Sequence, residues 1–209
     1  MPIVTSDISV SVDGYSAGVG QTREQPFGDM DETWLHAWMF ERRDENEAEV
    51  AAIVDAGAFI MGRHMFGPDR GEWDLEWKGW WGDDPPYHAP VFVLAHRERE
   101  SVPMQGGTTF HFVTDGIHAA LERARTAAGD RNVAIAGGAA TINQFLAAGL
   151  IDELRVHVTP AVLGAGERLF EGVPPQRFEQ VASRGTSLVT HITYRPLHTR
   201  PDDGDQSRA

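Results

Sequence analysis

The sequence contains no cysteine among its 209 residues. This absence excludes disulfides, thiolate nucleophiles and cysteine-based zinc sites, so any redox chemistry depends on a borrowed cofactor. Lysine is almost absent too: Lys78 is the only one, and the remaining cations are arginines. With a formal net charge of −13, the chain repels phosphate backbones and acidic membranes. We therefore expect neither nucleic acid nor a membrane as a partner.

The sequence also lacks long hydrophobic runs, because glycine, proline or charged residues interrupt the apolar segments well short of bilayer length. Its first ten residues, MPIVTSDISV, lack the basic-then-apolar pattern of a signal peptide. A soluble cytoplasmic protein is the resulting expectation. The histidines show no H-E-x-x-H spacing, and no G-x-S-x-G motif is present. We predict no bound metal and disfavour a hydrolase, and we expect His157 and His191 to be packed or surface residues.

Short apolar runs alternate with amphipathic segments through most of the chain. Strand-like runs precede helix-like periods three or four times, the pattern of a largely parallel sheet covered on both faces. Alternation over residues 188–194 predicts an antiparallel strand pair at the C-terminal end. The sequence thus predicts an α/β protein with a mostly parallel central sheet and helices on both faces. We expect one domain over residues 1–196 and a disordered acidic tail over residues 197–209.

Three predicted strand ends carry residues suited to binding an anion, since ligands of such sheets bind beyond the carboxyl ends of the strands. Gly137 and Gly138 stand where a strand gives way to a helix, whose N–H groups and dipole favour a pyrophosphate. A close strand–helix contact without a ligand is the alternative. Arg63 and Arg97 each closely follow a buried strand, so both can stand at one sheet edge and bind a terminal phosphate. The missing G-x-G-x-x-G fingerprint disfavours an ordinary Rossmann site.

Residues 67–90 form a long predicted loop that is rich in Trp, Gly, Pro and Asp. Loops of this length inside a compact domain are usually functional or disordered. The segment 72–81, EWDLEWKGWW, can stack on a flat ring or cap a pocket, or it can cover the core or a subunit interface. We favour structural cover slightly.

Five motifs, taken in chain order, resemble a known family. They are S-V-D-G-Y at 11–15, I-M-G-R-H-M at 60–65, V-L-A-H-R at 93–97, I-A-G-G-A at 135–139, and L-I-D-E-L followed by P-A-V-L-G-A-G within 150–166. Together they resemble the dihydrofolate reductase fold, and more closely the C-terminal reductase domain of the bifunctional riboflavin-biosynthesis deaminase/reductase and its stand-alone bacterial relatives. The resemblance covers roughly residues 3–194. It implies a three-layer α/β domain, commonly a homodimer, that binds NADPH and delivers hydride to a nitrogen heterocycle or its ribosyl imine.

The resemblance also implies site residues by position. Those implied for the adenosine end of NADPH and its 2′-phosphate are Gly62, Arg63, His64, Met65, His96 and Arg97. Those implied for the pyrophosphate are Gly137, Gly138, Ala139, Ala140 and Thr141. Asp13 and Gly14 would border the nicotinamide and the substrate, with Asp13 a candidate catalytic residue. Asp69 matches an Asp that the riboflavin reductases carry after their strand-end glycine, and it would face the substrate.

The chain departs from that pattern on the substrate side. Ala136 stands where the riboflavin reductases typically have Glu before the paired glycines, and the zinc signatures of the deaminase half are absent. True dihydrofolate reductases carry a buried carboxylate on the first helix, and here Asp29, Asp31 and Glu32 crowd that region without the surrounding motif. We predict that one of them, with Asp31 our choice, faces the substrate with a raised pKa and helps to protonate the acceptor. An acidic helix N-terminus stabilised by the dipole is the alternative.

The leading hypothesis is an NADPH-dependent reductase acting on a small nitrogen heterocycle or a ribosylamino-pyrimidine-like substrate, of the riboflavin-biosynthesis type. One alternative is a protein of the same fold that binds NADPH without turnover, as a sensor or interaction module, and another is a dihydrofolate or pteridine reductase. We expect a homodimer, because the family usually pairs through sheet edges or C-terminal strands and the run 188–194 offers apolar faces. We also expect NADPH to be preferred over NADH, because Arg63 and Arg97, beside His64 and His96, would form a local positive site.

Overall fold

Alternating β-branched and apolar residues build a central sheet, as the sequence predicts. In the computed structural model, which describes residues 2–68 and 70–197, nine strands belong to this sheet. They are β1 Val4–Ser11, β3 Ala58–Gly62, β4 Pro90–Leu94, β5 Val102–Pro103, β6 Thr109–Val113, β7 Val133–Gly137, β8 Glu153–Thr159, β10 Arg177–Gly185 and β11 Thr190–Leu197. Their order across the sheet is β10-β11-β8-β1-β7-β3-β4-β6-β5. Strands β2 (Tyr15–Ala17) and β9 (Glu167–Arg168) form a separate antiparallel pair.

Parallel pairing runs through the middle of the sheet, from β8 through β1, β7, β3 and β4 to β6. Antiparallel pairing occurs at the two edges, where β5 joins β6 and where β11 and β10 extend from β8. The predicted mostly parallel sheet with a C-terminal antiparallel pair is confirmed. Strand β11 reaches one residue past the predicted domain boundary, because Leu197 still pairs with Arg177. The remainder of the predicted tail lies outside the described residues.

Helices cover both faces of the sheet, as expected. They are α1 Thr33–Phe40, α2 Glu47–Val54, the single turn α3 Arg63–Phe66, α4 Gly116–Ala128 and α5 Ala139–Ala147. Helices α4 and α5 bury residues such as Leu121 and Phe145 in one cluster with Ile60 and Ile135 of the strands. Successive strand residues point to opposite faces, and Phe59 belongs to a second cluster on the other side. That side of the sheet is covered by α1, α2 and the loop after α3.

The topology brings the predicted strand ends to one edge. Parallel strands finish on the same side of a sheet, and Gly62 pairs in register with Leu94 while Met61 pairs with Gly137. The strands that precede Arg63 and Arg97 are therefore neighbours, which the predicted phosphate site requires. Strand β7 lies between β1 and β3, so its glycines stand near the middle of this edge.

Candidate functional site

The paired glycines form the turn between β7 and α5. Gly137 has φ +122°, a conformation that favours glycine, and the peptide bond between Gly137 and Gly138 is cis. Gly138 lies just before the helix, and its carbonyl accepts the N–H groups of Thr141 at 3.0 Å and Ile142 at 3.1 Å. A Cβ added to Gly138 would have no other atom of the described protein within 4 Å. Packing within the protein therefore gives no reason for glycine at position 138, and the backbone there is open to approach from outside.

Other residues predicted from the sequence converge on this turn. A Cβ on Gly62 would collide with the Thr141 hydroxyl, so the glycine at the end of β3 lets the first turn of α5 pack against the strand. The Met65 sulfur lies against Gly137, where an added Cβ would stand 3.3 Å from it. Ala139 and Thr141 are buried, whereas Gly138 and Ala140 are exposed. The structure thus brings together the β3 end, α3 and the start of α5 around one exposed strip of backbone.

Asp13 fixes the turn that follows β1. The Ser11 hydroxyl donates to Asp13 Oδ1 at 2.6 Å, and the backbone N–H groups of Leu163 and Gly164 donate to its two oxygens at 3.1 and 2.7 Å. These hydrogen bonds, that from Ser11 first, lower the pKa of Asp13 to about 2. Gly14, with φ +88°, then turns the chain toward β2. Asp13 is therefore ionised near neutral pH, so it has no proton to donate as an acid. Its hydrogen bonds join the loop after β8 to the end of β1.

The acidic residues before α1 lie at the surface. Asp29, Asp31 and Glu32 are exposed. Asp31 accepts hydrogen bonds from the Thr33 hydroxyl at 2.7 Å and the Thr33 N–H at 3.0 Å, and these bonds lower its pKa. The expectation of a buried Asp31 with a raised pKa is wrong, because the carboxylate faces solvent and accepts two hydrogen bonds that favour its ionised form. Asp31 has the features of a helix-initiating turn rather than those of a proton donor.

Both predicted arginines stand at the expected edge, and one segment of the long loop contacts them. The Arg63 guanidinium donates to the carbonyls of Gly71 at 2.7 Å and Glu72 at 3.4 Å, and it lies 3.9 Å from the centre of the Trp73 ring. Arg97 forms an ion pair with Glu72, and its carbonyl accepts the Trp73 indole N–H at 3.1 Å. Gly71–Trp73, which we call the strap, therefore contacts both cations. Sequence reasoning missed Glu72, because a contact between two loops leaves no local pattern.

The histidines beside these arginines do not add the expected charge equally. The Arg70 guanidinium lies against the His64 ring. Burial first, and then the charges of Arg70 and Arg63, lower the pKa of His64 to about 4. The expectation that His64 contributes positive charge is wrong near neutral pH. His96 is exposed.

The tryptophan-rich loop packs on the sheet. Trp73, Trp77 and Trp81 contact the cluster around Phe66 and Phe110, and the Trp77 indole N–H donates to the Phe66 carbonyl at 2.9 Å. This confirms the interpretation of the loop as structural cover.

Arg99, another residue that sequence reasoning missed, lies among the aromatic rings of this loop. Its guanidinium is 5.2 Å from the centre of the Trp73 ring, and it donates to the carbonyls of Leu75 at 3.1 Å and Trp77 at 2.6 Å. It follows the identified Arg97 by two residues in the run R-E-R-E. That spacing is the signal that could have found it.

A buried polar cluster lies under α1, at a distance along the sheet from the arginines. We call it the histidine cluster: its members are Asp7, Trp38, Asn46, His157 and His191. The two histidine rings contact each other through their Nδ1 atoms at 2.8 Å, and His191 Nε2 lies 2.8 Å from Asn46 Oδ1. Trp38 packs against both rings and donates to the Ser9 hydroxyl at 3.1 Å. The expectation that His157 and His191 are packed residues is confirmed.

Of the two remaining residues predicted on the substrate side, the structure describes one. Ala136 is half-buried one residue before Gly137, and Asp69 lies outside the described residues. Within residues 2–68 and 70–197, no group of three or more His, Asp or Glu side chains has the arrangement of a metal site. The same part of the chain contains no helix with the length and hydrophobicity to cross a bilayer.

Comparisons with known proteins agree with this architecture. A family model described as the RibD C-terminal domain matches residues 2–192. Among solved structures, the chain is similar to one from Shewanella sp. PV-4 described as a riboflavin biosynthesis protein, with 24% identity, a TM-score of 0.63, and 93% of this chain and 99% of that chain covered. The comparison with curated proteins gives no match.

Two more distant structures show the same fold. A diaminohydroxyphosphoribosylaminopyrimidine deaminase/5-amino-6-(5-phosphoribosylamino)uracil reductase from Thermotoga maritima has 16% identity and a TM-score of 0.57, with 94% of this chain and 57% of that chain covered. This chain thus spans a little over half of that bifunctional protein. A dihydrofolate reductase from Enterococcus faecalis complexed with NADP(H) has 13% identity and a TM-score of 0.55, with 93% and 96% covered. The predicted dihydrofolate reductase-like fold is confirmed.

Proposed function

The chain belongs to the RibD C-terminal domain family, and on that premise we propose that it is a reductase that uses NADPH to reduce a small nitrogen heterocycle or a ribosylamino-pyrimidine. The observation that carries the proposal is the open backbone at Gly138. Packing does not require a glycine at position 138, since an added Cβ would meet no other atom of the described protein within 4 Å. A ligand that lies directly on the backbone would explain why this position is a glycine, because a larger side chain would block its approach.

The residues around this turn fit a dinucleotide. The first N–H groups of a helix have no partner inside the helix and carry partial positive charge, so the start of α5 suits a pyrophosphate. We assign that role to the segment from Gly137 to Thr141. Thr141 is held against Gly62 and so fixes the helix start relative to β3. When bound, NADPH would supply a hydride.

The adenosine end of the cofactor is assigned to the neighbouring strand ends. Gly62 to Met65 and His96 would border it, and Arg63 and Arg97 would bind the 2′-phosphate. Arginine suits this role because its planar guanidinium donates two parallel hydrogen bonds to a phosphate. The local cations are needed because the whole chain carries a net charge of −13, which opposes an anionic ligand at long range.

The substrate is assigned to the region beyond β1, bordered by Asp13 and Gly14. Asp13 orients the loop at Leu163 and Gly164 and stays ionised. Hydride addition to a C=N bond leaves a nitrogen that must take up one proton. Because Asp13 and Asp31 are both ionised near pH 7, we propose that water delivers this proton.

The second candidate is a protein that binds NADPH without turnover. It is favoured by one specific observation: neither predicted acid is held in the protonated form, and Ala136 offers no carboxyl group in their place. An assay of NADPH oxidation against a panel of pyrimidines, pteridines and flavins separates the two. Turnover with one member supports the reductase, whereas tight NADPH binding without oxidation across the panel supports the second candidate.

We also propose that the protein is a homodimer, with a corrected surface. The sequence pointed to the apolar faces of the run 188–194, but Val189 packs with Trp38 and Val50, and Tyr194 packs against the main core cluster. Strand β10 lies at one edge of the described sheet, its residues are mostly exposed, and Val181 on it is 41% exposed. Light scattering at micromolar concentration tests this proposal, and a monomer mass throughout would contradict it.

A further inference from the structure

The strap Gly71–Trp73 occupies the cations that a phosphate would need. Its two carbonyls accept hydrogen bonds from Arg63, its Glu72 carboxylate pairs with Arg97, and the Trp73 indole contacts both arginines. These contacts come from three consecutive residues. The strap and an added phosphate therefore compete for the same donors.

Glu72 is the charged member of this competition. The nearby Asp74 is engaged elsewhere, because Arg23 donates to it at 2.7 Å and the Glu76 N–H donates to it at 3.0 Å. The Glu72 side chain is 81% exposed and that of Arg97 is 53% exposed. Ion pairs between exposed side chains are weak, so a phosphate can displace this carboxylate from Arg97. In the displaced state the carboxylate remains close to the phosphate and repels it.

We propose that Glu72 sets the cofactor specificity of the protein by competing with the 2′-phosphate for Arg97. NADH carries a hydroxyl where NADPH carries this phosphate. A carboxylate repels the phosphate but accepts a hydrogen bond from the hydroxyl. Glu72 therefore reduces the preference for NADPH that Arg63 and Arg97 would otherwise produce. The inference rests on the proposed cofactor site.

The test compares Glu72→Gln with a matched control, Glu76→Gln. Glu76 is an exposed carboxylate of the same loop, so its replacement changes the net charge equally. Dissociation constants for NADPH and NADH are measured at low salt by the quenching of tryptophan fluorescence, which Trp73 reports from beside the site. We expect Glu72→Gln to raise the NADPH-to-NADH affinity ratio about threefold to tenfold, and Glu76→Gln to change it less than twofold.

A double variant shows whether the effect passes through Arg97. In an Arg97→Ala background, Glu72→Gln should raise the ratio less than it does in the wild-type protein, because the competition for Arg97 is gone and only the repulsion of the phosphate by the carboxylate is relieved. If wild type binds NADPH and Glu72→Gln leaves the ratio unchanged, the specificity role is refuted while the cofactor site stands. If the gain is as large without Arg97 as with it, Glu72 does not act through competition for Arg97 and the proposal is wrong. If wild type binds neither cofactor, the proposed function fails and this inference fails with it.

Discussion

Two polar regions lie on the same face of the sheet and differ in burial and in the permanence of their partners. The histidine cluster under α1 is enclosed: His157 is 2% exposed and His191 is 6% exposed. At the β3 and β4 ends, the Arg97 side chain is 53% exposed and its partner is a carboxylate on a loop. An enclosed polar group must keep one set of partners, whereas an exposed one can exchange a side chain for a ligand. We therefore propose that the first region serves stability and the second serves binding.

In the histidine cluster, hydrogen-bond directions determine the protonation states. The Asn46 amide nitrogen donates to the Trp38 carbonyl at 3.1 Å, so its Oδ1 accepts from His191 Nε2. Burial first, and then the charge of His157, lower the pKa of His191 to about 4, so His191 is neutral near pH 7. Its Nδ1 then accepts a hydrogen bond from the Nδ1–H group of His157. His157 Nε2 faces Asp7 Oδ1 at 3.4 Å.

At the arginine edge, the described contacts include no comparable series of buried hydrogen bonds with fixed directions. Arg63 and Arg97 are held by loop carbonyls and by Glu72, all of which water or a phosphate can replace. We therefore predict that stability and cofactor affinity depend on different regions. Changes in the enclosed region should alter stability without altering cofactor affinity, and changes at the strand ends should do the reverse.

The largest expected effect is on stability, from Trp38→Ala. Trp38 is 1% exposed, and removing a buried Trp side chain costs about 3–5 kcal/mol through lost burial and the remaining cavity. Urea denaturation measures the change. Trp34→Ala is the matched control, because Trp34 on the same helix is 53% exposed and should change stability by about 0.5 kcal/mol or less. A similar loss from both variants would contradict the account of an enclosed cluster.

The next largest effect is on binding, from Gly138→Val. An added Cβ has room, since no other atom of the described protein lies within 4 Å of it, and the side chain would block the open backbone. We expect NADPH affinity to fall at least about 100-fold, equivalent to about 2.7 kcal/mol, with little change in the urea midpoint. Gly185→Val is the control, because Gly185 is equally open and lies on β10. Unchanged affinity in folded Gly138→Val would refute the pyrophosphate assignment.

Arg97→Ala should give a smaller and more selective loss. A hydrogen bond to a charged group contributes about 1.5–3 kcal/mol, so NADPH should bind about tenfold or more weakly while NADH changes little. Arg131→Ala is the control, because Arg131 is similarly exposed and pairs with Asp55 away from the site. Titration calorimetry with both cofactors measures the four affinities. Equal losses for NADPH and NADH would show that Arg97 does not contact the phosphate.

The most gradual effect is a pH dependence of stability that arises from His191. Its pKa is about 4 in the folded protein and about 6.5 in the unfolded chain. As the pH falls from 6.5 to 4, the unfolded chain binds a proton that the folded protein refuses, so stability falls by up to about 1.4 kcal/mol per pH unit. His191→Gln keeps a donor for Asn46 and should flatten this part of the curve. The lowered pKa of His64 contributes equally in the wild-type protein and in His191→Gln. If stability changes with pH by the same amount in the two proteins, the assignment to His191 is contradicted.

Local spacing predicted the parts of the molecule that depend on local sequence. The strand-to-helix turn at Gly137 and the positions of Arg63 and Arg97 after two strands followed from short apolar runs that end in distinctive residues. That the two strands are neighbours was implied by the family resemblance. The pairing of Glu72 with Arg97 joins two loops, and the contact of Asn46 with His191 spans 145 positions, so neither leaves a periodic signal. Asp31 was misjudged because proximity to a helix start does not reveal whether a side chain faces the sheet or solvent. Strand β10 was missed because an exposed edge strand needs no apolar alternation.

The central claim is that the strand-end edge binds NADPH through its glycine turn and its arginines. The most direct test is a parallel titration of the wild-type protein with NADPH and NADH at low salt, followed by the quenching of tryptophan fluorescence. We predict saturable binding of both cofactors and a higher affinity for NADPH than for NADH. The ratio of the two affinities should fall as salt screens the arginines. Equal affinity for the two cofactors, or a ratio that salt does not reduce, would contradict the claim.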